Sequence, residues 1–133
     1  MKDSLSKVPL VAVIDDHASV RNSIERLVKS LGLAVESFAS GEEFLRSNRV
    51  RDMACLILDV DMPGMGGLQL QSHLASTGWH IPVIFVTASP DAKTRAQALQ
   101  RGALDFLHKP TGEEALLKEI RSVLKIGGEK GRP

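Results

Sequence analysis

Short, nearly continuous apolar runs recur along the 133-residue chain and alternate with stretches of helical spacing. Three runs are rich in β-branched residues and have the length of a strand: Leu10–Ile14, Ala54–Leu58 and Pro82–Val86. Such runs are typical of parallel strands that are covered on both faces. Two further segments, Ala34–Phe38 and Ala103–Leu107, are predicted to form strands of the same sheet.

Helices are predicted between these strands by apolar spacing and by capping residues. The S-x-x-E and T-x-x-E pairs at Ser40–Glu43 and Thr111–Glu114 each open a helix, and Ser89–Pro90 opens another with proline in its first position. A longer helix ends at Gly32. Its apolar face consists of Val20, Ile24, Leu27, Val28 and Leu31.

Five alternating strand–helix units predict an α/β fold with one doubly wound, five-stranded parallel sheet and five helices. An eight-unit barrel would need roughly 250 residues. We expect the flavodoxin-like strand order 2-1-3-4-5. The helix over Asp91–Arg101 has the thinnest apolar face, mainly Ala92, Ala96 and Leu99, so we expect it to be the least firmly docked.

One domain is expected over residues 9–126, after an N-terminal extension, residues 1–8, and before a linker or flexible tail, residues 127–133. Seventeen Lys and Arg against sixteen Asp and Glu give a net charge of +1, so no overall field favours nucleic acid or an anionic membrane. The longest N-terminal apolar run is too short to span a membrane, and we expect a cytoplasmic protein. The single cysteine, Cys55, lies in an apolar run and is expected to be buried and reduced.

Three acidic residues follow or end predicted strands. Asp15 and Asp16 come after the first strand and Asp59 after the third, and the carboxyl ends of neighbouring parallel strands meet at one edge of a sheet. Carboxylates at close range repel, which a divalent cation relieves. Oxygen ligands favour Mg²⁺ over Zn²⁺, with Mn²⁺ as a substitute. The four histidines are too scattered to form a ligand set: His17, His73, His80 and His108.

Two further polar residues, Thr87 and Lys109, follow later strands at the same edge. A hydroxyl and an ammonium group then face three carboxylates. This combination suits a phosphoryl group, because the metal and the lysine neutralise its oxygens, the hydroxyl donates to it, and a carboxylate attacks phosphorus in line.

An ordered set of motifs gives these residues a family resemblance. It comprises Asp15-Asp16, the segment Leu58–Gly67 (LDVDMPGMGG), Thr87-Ala88, and Phe106 three residues before Lys109-Pro110. The chain resembles the response-regulator receiver domain of two-component systems from about Leu10 to Leu124. It is most similar to receivers that precede LuxR-type DNA-binding domains. Each motif is weak alone, but the ordered set is highly specific.

The resemblance implies a division of roles among the acids. Asp59 is implied to be the phosphoacceptor, which takes its phosphoryl group from a phosphohistidine of a sensor histidine kinase. Asp16 and Asp59 are implied to bind Mg²⁺ directly, together with the backbone carbonyl of Asp61. Asp15 is implied to act mainly through metal-bound water.

The resemblance also implies a conformational switch. Thr87, Ala88, Lys109 and Phe106 are implied to bind the phosphoryl group and respond to it: Lys109 pairs with it, Thr87 swings its hydroxyl toward it, and Phe106 fills the space that Thr87 leaves. The fourth helix, fifth strand and fifth helix form the face that is remodelled and through which a homodimer would form. The Lys109–Pro110 peptide is implied to be cis.

Asp61 departs from the family pattern, since related receivers often have a basic or neutral residue there.

Two rival functions remain open. Asp59-Val60-Asp61 also resembles the D-x-D of haloacid-dehalogenase phosphohydrolases, although in that family the motif follows the first strand and an acidic pair comes after the lysine. The second rival function is that of a degenerate receiver, which binds partners without being phosphorylated. No run here predicts a helix-turn-helix, so this chain is not expected to bind DNA itself, and the sequence leaves the presence of an effector domain open.

Overall fold

The computed structural model describes residues 8–87, 92–100, 103, 105–108 and 113–124. Within these residues, parallel strands form one sheet. The strands are β1 (Leu10–Ile14), β2 (Ala34–Phe38), β3 (Met53–Asp59), β4 (Val83–Thr87) and β5 (Asp105–His108). Their order across the sheet is β2-β1-β3-β4-β5. The predicted parallel α/β fold is confirmed.

Helices connect the strands. They are α1 (Ala18–Ser30), α2 (Gly41–Arg46), α3 (Gly67–Ser76), α4 (Ala92–Gln100) and α5 (Glu113–Leu124), and a 3₁₀ turn, Val50–Asp52, precedes β3. Gly32 has a φ of +81° just beyond the end of α1, and its N–H donates to the Lys29 carbonyl, so the predicted stop is confirmed. None of the described helices has the length and apolar character needed to cross a bilayer.

The predicted capping pair at the start of α2 is present. The Glu43 N–H donates to Ser40 Oγ at 3.0 Å, while Glu43 Oε1 accepts from the Ala39 N–H at 2.8 Å. The return bond therefore reaches one residue further back than in a standard capping box. The other predicted helix starts, at Ser89–Pro90 and Thr111, lie outside the described residues, as does the predicted tail, residues 127–133.

Alternate side chains of the strands enter two apolar cores, one on each face of the sheet. One core packs β1 and β3 against α1 and α5 through Val11, Val13, Ile24, Val28, Cys55, Ile57, Leu116 and Ile120. The other packs the same strands against α2, α3 and α4 through Ala12, Ile14, Phe44, Leu56, Leu58, Leu70, Leu74 and Ala98. Both faces of the central strands are covered, which explains their nearly continuous apolar sequences.

Cys55 lies on β3, in the core formed with α1 and α5. Its side chain is fully buried. Burial raises the pKa of the thiol from 9.0 to about 12, because the thiolate would lose its hydration. The predicted buried thiol is confirmed.

Helix α4 packs differently from its prediction. Ala98 is fully buried, whereas Ala96 and Leu99 are exposed, so the prediction that Ala96 and Leu99 face the sheet was wrong. An alanine-rich helix has no strong apolar face to fix its rotation, and the small Ala98 side chain permits a close approach. Gln71 Nε2 of α3 also donates to the Ala98 carbonyl at 3.4 Å. Little apolar surface holds α4, as expected: Ala98 is the one buried residue among its described side chains.

Candidate functional site

The polar residues at the ends of three central strands lie at one edge of the sheet. Ile14 of β1 pairs with Leu58 of β3, so the residues that follow them, Asp15 and Asp59, are neighbours. Asp59 in turn pairs with Val86 of β4, directly before Thr87. Asp15 and Asp59 are each 3% exposed, and Thr87 is fully buried. The predicted convergence at the carboxyl edge is confirmed for these three residues.

Asp15 is held by hydrogen bonds from three parts of the chain. Its N–H donates to the Phe38 carbonyl of β2 at 3.1 Å, and its own carbonyl accepts from Arg21 Nη1 of α1 at 2.7 Å. Its Oδ1 accepts from the His17 N–H at 2.9 Å. Nothing in the sequence pattern indicated Arg21, because the bond requires the turn that leads from β1 into α1. The fold thus holds the backbone of Asp15 and one oxygen of its carboxylate in place.

Asp16 and His17 occupy the turn between β1 and α1, where His17 is the N-cap residue of α1. His17 Nδ1 lies 3.1 Å from Asp15 Oδ1 and 3.3 Å from Asp16 Oδ1. Asp16 Oδ1 is buried and accepts no hydrogen bond from the described residues, despite the nearby imidazole. Sequence reasoning set His17 aside with the other histidines. Its position directly after the acidic pair was the signal that could have identified it.

The loop that follows Asp59 is shaped by glycines and by a contact with α2. A Cβ at Gly67 would lie 2.3 Å from the Asp59 carbonyl oxygen, so only glycine lets α3 begin this close to the acidic edge. Gly64 has a φ of +76°, which favours glycine at that position. Glu42 Oε2 accepts from the Met65 N–H at 3.2 Å and ties the loop to α2. Spacing could not have revealed Glu42, which is 23 residues away.

The acidic edge has the donor set of a metal site. Asp15, Asp16, His17 and Asp59 each offer one ligand atom, and these atoms all lie within 4.8 Å of one another. Carboxylate oxygens dominate the set, which suits a hard divalent cation such as Mg²⁺. The buried Asp16 Oδ1 is an acceptor that a cation would satisfy. The residues present therefore fit a bound divalent ion.

The remaining predicted site residues are only partly described. Asp61 is exposed in the loop after β3, and the metal-binding role of its carbonyl stays a prediction. The backbone of Phe106 belongs to β5. Ala88, Lys109 and Pro110 lie outside the described residues, so their roles and the cis peptide stay predictions too.

Comparisons with known proteins agree on one family. The family model described as response regulator receiver domain matches residues 11–121. The transcriptional regulatory protein TdiR of Thauera aromatica is 41% identical over 119 residues, which cover 90% of this chain and 52% of TdiR. The transcriptional regulatory protein FixJ of Azorhizobium caulinodans is 39% identical over 122 residues, which cover 92% of this chain and 58% of FixJ. The chain thus spans little more than half the length of these relatives.

Solved structures give the same picture. The response regulator StyR superposes with a TM-score of 0.82 at 40% identity, over 92% of this chain and 62% of StyR. A response regulator receiver protein from Burkholderia phymatum has a TM-score of 0.77 at 42% identity, over 90% of this chain and 97% of that structure. The BeF₃-activated DrrB receiver domain has a TM-score of 0.81 at 25% identity, over 90% of this chain and 99% of that structure.

Proposed function

The chain belongs to the response-regulator receiver family, and we propose that it is a phosphorylation-dependent signalling switch of a two-component system. A sensor histidine kinase presents a phosphohistidine, and Asp59 takes its phosphoryl group. The change of conformation that follows controls an effector domain, a homodimer or a partner protein.

The clustering of Asp15, Asp16 and Asp59 is the observation that carries this proposal. Two of these carboxylates are almost completely buried, where like charges repel strongly. A divalent cation relieves that repulsion and brings a phosphoryl group to the same edge. Mg²⁺ fits the oxygen ligands best, with Mn²⁺ as a substitute.

The chemistry is a single in-line displacement. A carboxylate oxygen of Asp59 attacks phosphorus while the P–N bond to the donor imidazole breaks, and the bonding electrons stay with the imidazole. Asp16, Asp59 and the Asp61 carbonyl would hold Mg²⁺, assisted by Asp15, and the ion would neutralise charge on the phosphoryl oxygens. Lys109 pairs with the phosphoryl group.

The output passes from Thr87 at the end of β4 to the face formed by α4, β5 and α5. Thr87 is fully buried and directly follows Val86, the residue of β4 that pairs with Asp59. This position brings its hydroxyl close enough to respond to a phosphoryl group on Asp59. Thr87 and Ala88 bind it, and Phe106 follows the movement of Thr87. The relatives TdiR and FixJ are transcriptional regulators, so control of transcription is the output we propose for the whole protein.

Acetyl phosphate with Mg²⁺ tests the proposal on the intact chain. We expect slow addition of one phosphoryl group, seen by intact-mass spectrometry, and no addition without Mg²⁺ or in Asp59→Asn. Asp52→Asn is the matched control, because Asp52 is an exposed acid paired with Arg49 on the surface. Asp52→Asn should be labelled like the wild type.

The same experiment separates the two rival functions. Rapid turnover of acetyl phosphate without accumulation of a labelled chain would indicate a haloacid-dehalogenase-like phosphohydrolase. Chain topology disfavours this rival, since Asp59 ends β3 and the acidic pair follows β1. Absence of labelling would indicate a degenerate receiver that acts as a binding module.

Asp61 is the residue that departs from the family pattern, and its effect on the lifetime of the phosphoryl group is open. Asp61 lies two residues after Asp59 and is exposed to solvent. We expect Asp61→Asn to accept a phosphoryl group and to lose it at a different rate, because a nearby negative charge alters the field at the acyl phosphate. Equal lifetimes in both proteins would leave Asp61 without a role.

A further inference from the structure

His17 contacts both members of the acidic pair at the proposed metal site. Its Nδ1 lies 3.1 Å from Asp15 Oδ1 and 3.3 Å from Asp16 Oδ1. The two carboxylate oxygens and the ring nitrogen therefore form a compact triangle. His73 and His80, the other histidines whose side chains the structure describes, are exposed and belong to no such cluster.

These separations match neighbouring ligands on one metal ion. An octahedral ion with bonds of about 2.1 Å holds adjacent ligand atoms about 3.0 Å apart and opposite ones about 4.2 Å apart. The distances of 3.1 and 3.3 Å from His17 Nδ1 to the two carboxylate oxygens are close to the first value. All four ligand atoms, including one from Asp59, lie within 4.8 Å of one another. Small side-chain movements bring them onto one ion.

An imidazole changes which ions such a site prefers. Mg²⁺ favours oxygen ligands, whereas imidazole nitrogen suits first-row transition metals, whose affinities rise from Mn²⁺ towards Ni²⁺ and Cu²⁺. We propose that His17 is a ligand, through Nδ1, for transition-metal ions bound by Asp15, Asp16 and Asp59. This inference rests on the metal site of the proposed function and goes beyond it, because His17 makes the site selective for Mn²⁺ and Ni²⁺ relative to Mg²⁺.

The present contact of His17 with the acids does not oppose this role. Its side chain is 60% exposed, so the bond between Nδ1 and Asp15 Oδ1 forms next to water. A hydrogen bond or ion pair in that setting is weak and easily exchanged for another ligand. Asp15 Oδ1 also keeps its bond from the His17 N–H, which holds the carboxylate while the ring turns to the ion.

Metal affinities of matched variants test the proposal. Isothermal titration of the full chain with Ni²⁺ and with Mg²⁺ is compared for the wild type, His17→Asn and His73→Asn. We expect His17→Asn to lose about tenfold or more in Ni²⁺ affinity, the scale on which metal sites respond to altered ligand shells, and to keep its Mg²⁺ affinity within about twofold. His73→Asn, on an exposed face of α3, should match the wild type for both ions.

Mn²⁺ provides a readout that a structural role of His17 would not change. Electron spin-echo envelope modulation of the bound Mn²⁺ detects directly coordinated nitrogen. We expect a nitrogen signal in the wild type and in His73→Asn, and its loss in His17→Asn. Equal Ni²⁺ affinities in wild type and His17→Asn, or Mn²⁺ bound without nitrogen coupling, would overturn the proposal.

The failure of this inference is distinguishable from failure of the switch. Asp59 labelling by acetyl phosphate with Mg²⁺ is measured on the wild type, independently of the Ni²⁺ titration and the nitrogen signal. If labelling persists while the nitrogen signal is absent from the wild type, the switch stands and the role of His17 falls. If the wild type binds no divalent ion and is not labelled, both proposals fail.

Discussion

Helices α1 and α4 cover opposite faces of the sheet and are held very differently. On α1, Ile24 and Val28 are buried, and further apolar side chains of the helix pack beside them. On α4, Ala98 is the one buried residue among the described side chains, and Leu99 is 38% exposed. One buried aliphatic side chain is worth about 1.5–3 kcal/mol, and an alanine methyl about 0.8 kcal/mol.

The difference fits the positions of the two helices relative to the acids. The turn into α1 carries Asp15, Asp16 and His17, and Arg21 of α1 fixes the Asp15 carbonyl. Firm docking of α1 therefore keeps the proposed metal ligands in place. Helix α4 follows β4, whose last residue, Thr87, comes directly after the strand partner of Asp59, the proposed phosphoacceptor. A weakly held helix there can shift at little cost, which a switch requires.

The largest expected effect comes from removing the packing of α1. Ile24→Ala should lower the free energy of unfolding by about 2–5 kcal/mol, because it leaves a cavity in the core shared with β1 and β3. Leu99→Ala on α4 is the matched variant and should cost less than about 1 kcal/mol, because Leu99 is partly solvated already. Urea unfolding followed by circular dichroism measures both. Similar losses in the two variants would remove the contrast between the helices.

Native-state hydrogen exchange tests the same contrast without a substitution. We expect the central amides of α4 to exchange about 100-fold faster than those of α1. The reason is that apolar burial stabilises α4 by roughly 3 kcal/mol less than it stabilises α1. Exchange detected by mass spectrometry on peptides from each helix gives the ratio. The amides of α3 provide an internal reference, because Leu70 and Leu74 are buried there. Equal protection of α1 and α4 would contradict weak docking.

A smaller effect depends on pH and probes the core beneath α1. The Cys55 thiol has a pKa of about 12 in the folded protein against 9.0 ordinarily. Between these values the unfolded chain binds fewer protons than the folded one. The free energy of unfolding should therefore fall by about 1.4 kcal/mol for each pH unit above 9.

Cys55→Val isolates this contribution, because it keeps an apolar side chain in the core and has no thiol. The stability difference between wild type and Cys55→Val should change with pH only above about 9, and other ionisable groups cancel in that difference. A difference that stays constant up to pH 11 would show that water reaches the thiol. The core beside α1 would then be less tightly sealed than its burial indicates.

Much of this architecture was predictable from the sequence. The bounds of β1 and β2 agree with prediction, and β3 extends one residue beyond its apolar run at each end, to Met53 and Asp59. The fourth strand was predicted over Pro82–Val86 and is observed over Val83–Thr87. It begins one residue later because proline has no N–H to donate to a neighbouring strand, and it ends one residue later because the polar Thr87 still pairs with β5. The convergence of the acids was also predictable, because the order of strands and helices along the chain indicates which strand ends share an edge of the sheet.

Other features depend on packing that spacing does not encode. The inward face of α4 was mispredicted because alanines at several positions are equally apolar, so contact with the sheet and Gln71 decides which one is buried. Glu42 reaches the loop after β3 only through the docking of α2. His17 approaches the acids because of the turn into α1, which a search for paired histidines does not consider.

The smallest expected effect concerns the end of the sheet remote from the acids. Trp79, the only tryptophan, is 37% exposed and lies between the end of α3 and the start of β4. Because the proposed metal ligands lie on β3 and in the turn between β1 and α1, at the other end of the sheet, Mg²⁺ should leave the fluorescence of Trp79 unchanged. Unfolding in urea provides the positive control, since it must alter the emission. A strong quench by Mg²⁺ alone would mean that β1, β3 and the turn into α1 move when the acids bind the ion. A change of fluorescence that appears only after phosphorylation would assign the movement to the later strands and α4.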